Sequence, residues 1–240
     1  MGKPTALPKN WPPSLPYLQE PCFAPHVTKA QQQILRTRPR PRDPESGSTE
    51  TEMGADADII PRDFPRGPSS LARILPITAP ESHPARGQSG LFAARPLPPG
   101  TLVLPYYGVV HSSSSPHATA HHHEQQSDYD LWLDRDAGLA VDAARAGNEA
   151  RFVNDYRGVA ARPNCEFREC WDLRRGERCM AVFVLRAGKK NAGNKKAAAG
   201  VAKGEELLVS YGKGFWSKRR DELRDHEGVP DDVPDDEAPS

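Results

Sequence analysis

Two stretches of this chain hold residue types suited to chemistry rather than to packing. The first is NEARFVNDYRGVAARPN (residues 148–164), where Asn154, Asp155, Tyr156 and Arg157 are consecutive and a Pro-Asn pair closes the segment. The second is KGEELLVSYGKGFW (residues 203–216), where Tyr211-Gly212 ends an apolar run. Asn and Asp supply short acceptors, Tyr a phenolic hydroxyl and Arg a fixed fork of donors. Such clusters are built for a site more than for a core strand. Taken singly, each aromatic also has a packing explanation. Tyr129 reads as a half-buried strand residue, Tyr211 as a strand-to-turn boundary and Trp216 as core.

Two other sets of reactive side chains carry weaker signals. Cys22, Cys165, Cys170 and Cys179 include no C-x-x-C pair, so free thiols are expected rather than a zinc site, and no metal is required. His111, His117, His121, His122 and His123 fall in the low-complexity stretch 111–127, which reads as a mobile insertion rather than as a metal site or pH sensor.

The elements that must hold the two stretches are short strands. Residues 72–78 (ARILPIT) read as an edge strand, and 91–94 as the next. RPLPPG reads as the turn of a hairpin leading into TLVLPYYGVV (101–110), where Pro105 either weakens the strand or places it at an edge. YDLWLD (129–134) and LAVD (139–142) flank an Asp-Ala-Gly turn, and 143–150 can form a brief helix or turn. RCMAVFVLRA (178–187) is the most strongly β-patterned run, and ELLVSY (206–211) reads as a buried strand. A short helix is expected within 26–36 and a terminal helical turn at 218–225. There is no βαβ alternation and no Rossmann glycine fingerprint, so the expected class is mainly β, with few short helices.

Composition bounds the rest. With 25 prolines, 7% aromatics and 37% apolar residues in 240, the chain cannot offset the entropy of ordering its whole length. About 140–160 ordered residues are expected. The reading is a Pro-rich, largely disordered region at 1–70, an ordered domain at 71–217 with mobile insertions at 111–127 and 188–200, and an acidic tail at 218–240. Zero net charge gives no global attraction to nucleic acid or to acidic membranes. No apolar run reaches the length of a membrane span, and MGKPTALPKN lacks the apolar core of a secretory leader. An intracellular location is the simplest reading, and basic residues in the stretch 36–42 permit the nucleus.

Over roughly residues 82–217 the ordered set of motifs resembles the SET domain of protein-lysine methyltransferases. HPARGQSGLFAARPLPPGTLVLPYYGVV is similar to the family's opening glycine motif, hairpin and Tyr-x-Gly turn. SDYDLWLD resembles its Ser-Tyr-Leu-Phe-Asp-Leu segment. The stretch ending FVNDYRGVAARPN resembles Phe-Ile-Asn-His-Ser-Cys-x-Pro-Asn, and KGEELLVSYGKGFW resembles Gly-Glu-Glu-Leu, Tyr-Gly and Phe-Trp. The resemblance implies a fold of several small sheets with a C-terminal pseudoknot, S-adenosylmethionine as cofactor, and a protein substrate that presents a lysine, a histone tail being one such substrate. It implies Tyr211 and Tyr129 as catalytic residues. It implies Gln88, Ser89, Gly90, Asn154, Asp155 and Trp216 around the cofactor, with Gly90 allowing close backbone approach. Arg151 and Asn164 would brace the pseudoknot. A monomer, in the nucleus rather than the cytoplasm, is the implied setting.

The chain departs from the family pattern at several points. Asp155 stands where the family has histidine, and an ionised carboxylate accepts but does not donate. Arg157 stands at the usual cysteine, and no Cys-x-Cys cluster follows Trp216 or precedes Leu71, so the cysteine-rich pre-SET and post-SET segments are not expected. Val209 stands two residues before Tyr211, where relatives often hold Phe or Tyr, and the resemblance implies that its smaller side chain leaves room for more than one methyl. The alternative to an enzyme is a catalytically silent SET-like protein-interaction module. A nucleic-acid-binding β protein is disfavoured by the charge balance.

Overall fold

The computed structural model describes residues 6–38, 58–112, 127–186, 200–212 and 216. The chain divides into two units, Met1–Ser210 and Tyr211–Ser240, and the elements below lie in the first. Among the described residues there are twelve short strands. β1 is Cys22–Phe23, β2 Asp58–Ile60, β3 Ala72–Pro76, β4 Ser89–Ala93, β5 Leu102–Tyr106 and β6 Val109–Ser112. β7 is Asp130–Asp134, β8 Leu139–Asp142, β9 Asn154–Asp155, β10 Cys165–Asp172, β11 Glu177–Val184 and β12 Leu208–Val209. Helix α1 (Lys29–Arg36) and a 3-10 turn, Glu149–Phe152, are described with them in the first unit.

The strands form four small sheets, in the orders β1-β6-β8-β7, β2-β10-β11-β5, β12-β9 and β3-β4. β11 is apolar from Ala181 to Val184 and buried along that run, so it takes an interior position between β10 and β5. Ile60, Cys170, Cys179, Ala181 and Phe183 pack together there, with Phe64 and Leu102 against them. Pro105 sits on β5, the edge strand, where its missing N–H breaks no ladder. The expected pairing across RPLPPG does not form. β4 pairs with β3, with Leu91 opposite Ile74, whereas β5 pairs with β11, with Leu104 opposite Val182. A Pro-Pro-Gly turn reverses a chain, but the two apolar strands it joins find better-matched partners elsewhere. β10 was not expected. Its partner register with β11 is continuous from Cys165↔Val184 to Asp172↔Glu177.

The expectation of a linker-like segment over 1–70 does not describe residues 6–38. Trp11, Val27 and Leu35 are buried. Trp11 meets Tyr17 and Phe152 edge to face, at 5.0 and 5.8 Å between ring centroids, and its Nε1 donates to the Leu15 carbonyl. Few aromatics are enough here, because each brings a large apolar area to a backbone that prolines have already stiffened. β1 runs parallel to β6, and α1 opens on a capping box between Thr28 and Gln31. His111 and Ser112 extend β6 rather than opening a loop. The remainder of the 111–127 insertion (113–126), residues 187–199, the helical turn expected at 218–225 and the acidic tail lie outside the described residues.

Candidate functional site

The two polar stretches meet. β9 and β12 pair in parallel, with Asn154 opposite Leu208 and Asp155 opposite Val209. Beyond that pair, the Tyr156 N–H donates to the Val209 carbonyl at 2.9 Å. On the other flank, the Leu208 N–H donates to Asn164 Oδ1 at 2.8 Å, the Asn164 N–H to the Leu208 carbonyl at 3.0 Å, and Asn164 Nδ2 to the Glu206 carbonyl at 2.7 Å. Residues 206–209 are thus held between 154–156 and 164. The 3-10 turn Glu149–Phe152 ends immediately before β9 and delivers Asn154 to this crossing.

Glu206 is the centre of the crossing. Residues 205–207 run beside β4: the Ala93 N–H donates to the Glu205 carbonyl and the Leu207 N–H to the Leu91 carbonyl. The Glu206 carboxylate, only 9% exposed, accepts from Asn154 Nδ2 on Oε1 at 2.8 Å and lies 3.0 Å from His83 Nε2 on Oε2. His83 is itself buried. Its loop, between β3 and β4, is closed by Ile77 N–H to the Gln88 carbonyl at 2.8 Å and Gly87 N–H to the Ile77 carbonyl at 2.9 Å. Gly158, at φ +79°, lies so close to that loop that a Cβ there would stand 2.6 Å from Pro84 Cγ. The two flanks are therefore packed together, and a buried carboxylate with both oxygens occupied is the stable way to place a charge there.

The expected cofactor residues fall as follows. Gln88 is exposed, and both its backbone groups are bonded inside the chain, to Ala85 and Ile77. Ser89 is half-buried and begins β4. Gly90 is buried, and the close approach it permits is made by the protein itself: a Cβ there would stand 2.5 Å from Glu206 Oε1. Asn154 is half-buried, and Asp155 is buried. The Asp155 carboxylate accepts from Arg157 Nη1 at 2.9 and 3.1 Å and from the Arg157 N–H at 2.8 Å. Asp155 is therefore tied to Arg157, two residues on, and Arg157 also lies over the Tyr156 ring at 4.9 Å.

Tyr129 is half-buried just before β7, with its carbonyl accepting from Tyr106 Oη at 2.7 Å. The Arg151 guanidinium stands 4.2 Å from the Tyr129 ring centroid and donates through Nε to the Ala143 carbonyl at 2.9 Å. Tyr211 and Trp216 belong to the second unit, in which Gly212 has φ +87°, a conformation that ends a strand at low cost only with glycine.

A separate cavity of about 230 Å³ lies among Tyr17, Phe64, Leu71, Leu104, Asn148 and Glu149. Glu149 is 2% exposed and is bonded by Tyr17 Oη at 2.9 Å and the Ser69 N–H at 2.7 Å. Burial and the Glu149 charge both push the Tyr17 hydroxyl up. Asn148 ties the Tyr107 N–H to the Pro105 carbonyl. Sequence reasoning missed His83, Asn148 and Glu149 as organisers. The Asn148-Glu149 pair looks like an ordinary polar turn start, an N-cap residue followed by an acid, so nothing local marked it. All four cysteines are free thiols. Among the described residues no group of three His, Cys, Asp or Glu side chains could hold a metal ion.

With that geometry in place, comparison with known proteins gives a family match over part of the chain. The SET domain model matches residues 88–192. No curated protein matches the chain. Solved structures similar to it include a humanised mutant of the Chaetomium thermophilum Polycomb Repressive Complex 2 bound to the inhibitor GSK126, at 23% identity and TM-score 0.42 over 60% of this chain and 15% of that one. The crystal structure of the Chaetomium thermophilum complex gives 21% identity and TM-score 0.44 over 62% and 17%. The ctPRC2 complex in an autoinhibited conformation bound to S-adenosylmethionine gives 21% and 0.43 over 67% and 18%. The chain thus spans less than a fifth of the length of these chains.

Proposed function

We propose, from the match of residues 88–192 to the SET domain model, that the chain transfers a methyl group from S-adenosylmethionine to a lysine side chain of a protein substrate, with histone tails the first substrates to test. The observation that carries the proposal is the crossing of 206–209 between 154–156 and 164. It places the Asn154 amide beside the start of β4, at a spot braced from beneath by Glu206.

The residues at the crossing suit the cofactor's amino-acid end. Ser89 and Asn154 are both half-buried, and among the described residues neither the Ser89 hydroxyl nor Asn154 Oδ1 makes a hydrogen bond. Two polar atoms held ready on rigid strands are what a polar ligand needs. When bound, S-adenosylmethionine supplies an electrophilic methyl group. The lysine nitrogen must arrive without its proton, since an ammonium has no lone pair. Tyr129 and Tyr211 are the phenols assigned to orient that amine, and an apolar surround favours the uncharged form. Asn154 orients the cofactor, and Asn164 and Arg151 keep the crossing and Tyr129 in place. The small side chain of Val209, two residues before Tyr211, is assigned the role of leaving room for more than one methyl on the product lysine. A product confined to monomethyl-lysine contradicts that assignment.

The second reading, a silent SET-like interaction module, is favoured by one observation: Arg157 occupies the Asp155 carboxylate on both oxygens. Labelled methyl transfer to histone tails by the wild type and by Tyr211→Phe separates the two. Transfer by the wild type that falls or changes product state in Tyr211→Phe supports the enzyme. No transfer by either, with a protein partner still bound equally by both, supports the module. Function as a monomer in the nucleus is part of the same proposal. It is compatible with the absence, among the described residues, of a helix long and apolar enough to cross a membrane.

A further inference from the structure

His83 and Glu206 both lie outside the residues that the SET model matches, yet they form a hydrogen-bonded array that ends on the proposed cofactor residue. The Ala85 N–H donates to His83 Nδ1 at 3.0 Å. A backbone amide can only donate, so Nδ1 must accept, and the ring proton sits on Nε2. Nε2–H then points at Glu206 Oε2, 3.0 Å away, and the other carboxylate oxygen accepts from Asn154 Nδ2 at 2.8 Å. Every donor and acceptor along this path is set by the one before it. The consequence is felt at Asn154, whose amide is turned NH₂ inward and carbonyl oxygen outward.

We propose that His83, acting through Glu206, is a positioning residue that locks the Asn154 amide with Oδ1 outward, as a hydrogen-bond acceptor for the cationic amino group of an amino-acid-bearing ligand. An amide left to rotate would offer NH₂ as readily as oxygen, and NH₂ facing an ammonium places donor against donor. The lock is buried. His83 and Glu206 side chains are 3% and 9% exposed, so water does not substitute for a missing partner. Gly90 is part of the device, because a side chain there would displace Glu206 Oε1. The proposal rests on the cofactor reading above for the identity of the ligand, but not for the array itself.

The test is a polarity swap. In Glu206→Gln the new amide can accept from His83 or from Asn154, but not from both, because one of its two ends is now a donor. The strain is relieved most easily by turning the Asn154 amide over. In the double variant Glu206→Gln, Asn154→Asp, the Gln oxygen accepts from His83, its NH₂ donates to Asp, and the second Asp oxygen again faces outward as an acceptor. The net charge is unchanged.

Three measurements are made on the full chain: the His83 tautomer from long-range proton–nitrogen NMR of the wild type, S-adenosylmethionine affinity by calorimetry, and the urea midpoint of each variant. The expected results are the Nε2–H tautomer, affinity weakened roughly tenfold or more in Glu206→Gln, and recovery in the double variant to within about threefold of wild type. The urea midpoint should follow the same pattern. A proton on Nδ1, a Glu206→Gln protein that binds as the wild type does, or a double variant no better than the single overturns the proposal. If the wild type binds no S-adenosylmethionine, the cofactor reading fails, and the tautomer and the midpoint of the double variant still decide whether the array exists. If Glu206→Gln does not fold, the wild-type tautomer and the folding of the double variant decide it.

Discussion

Replacing Gly90 with alanine adds one carbon where the structure has no room. The new Cβ would stand 2.5 Å from Glu206 Oε1 and 3.1 Å from both Ile77 Cδ1 and Phe92 Cε2. To restore ordinary contact, the carboxylate oxygen must retreat by about 0.9 Å. The carboxylate is not free to do so, because its two oxygens are held at 2.8 Å by Asn154 and 3.0 Å by His83. Hydrogen bonds lengthened by that amount are largely lost. A buried bond to a charged group contributes about 1.5–3 kcal/mol, and overpacking adds a cost of about 1–3 kcal/mol. Some relaxation is certain, so the expected net loss is about 2–4 kcal/mol. For a domain of this size that is a fall of roughly 4–16 °C in Tm. Urea unfolding followed by tryptophan fluorescence measures the loss, and the side-chain amide protons of Asn154 report in NMR whether its bond to Glu206 survives. A Gly90→Ala protein within about 0.5 kcal/mol of the wild type would refute the reasoning, since surface-like tolerance is incompatible with a filled site beneath β4.

Three further outcomes are expected. Removing the Trp11 ring (Trp11→Ala) should destabilise the domain by about 3 kcal/mol or more and expose residues 12–30 to protease, because Trp11 anchors that segment against Tyr17 and Phe152. Unchanged stability would show that the segment does not depend on it. The hydrogen bond to Asp130 raises the His111 pKa, against burial and with help from the Asp130 and Asp142 charges. The value is raised in the folded state, so this contribution is complete below about pH 6.5 and is lost as pH rises through the folded pKa. The stability gap between the wild type and His111→Gln should therefore narrow with rising pH through that window, and a gap that widens contradicts it. Cys22 is exposed, whereas Cys165, Cys170 and Cys179 are buried. Burial raises the Cys165 pKa, and the Cys170 contact and then burial raise that of Cys179. One thiol should alkylate rapidly in the native protein and three only on unfolding. Mass spectrometry after brief treatment reads this directly, and rapid modification of Cys179 would count against the packing.

Much of the fold was legible because its signals are local. β7 and β8 flank their Asp-Ala-Gly turn, β11 is continuously apolar where it is buried, and Leu207–Val209 is buried as its composition implied. β10 was not legible. Its charged residues, Glu166, Arg168 and Glu169, sit on a strand whose other positions include Cys170 and Trp171, both buried. The charges are accommodated by partners that pairing supplies, Arg168 by distant Asp58 as well as by Glu166, and Glu169 by Arg178 across the turn to β11. Burial raises the Glu169 pKa even with Arg178 beside it. Nothing local announces the pairing of Arg168 with Asp58. The same reason hid the N-terminal packing, which depends on Trp11 and Tyr17 meeting residues after 140.

The site divides along the same line. The motif order placed Asn154, Asp155 and Asn164 in one neighbourhood, and the structure brings those residues to the β9–β12 crossing. It did not show that Gly90 makes room for Glu206, because a glycine's neighbour is a fact of three dimensions. Nor did it show that Arg157 holds Asp155: two residues apart, they look like a solvated pair until the burial of the carboxylate is known. His83 lay in a loop with nothing in its spacing to mark it, and only its two bonded ring nitrogens give it a role.

The central claim is that the crossing of the two polar stretches forms a place for S-adenosylmethionine. Calorimetric titration of the wild-type chain with S-adenosylmethionine, repeated on Asp155→His, tests it most directly. The account predicts saturable, one-site binding by the wild type. No heat from the wild type at ligand concentrations up to about 1 mM, with binding present in Asp155→His, would contradict it and leave a SET-like module whose cofactor site is disabled.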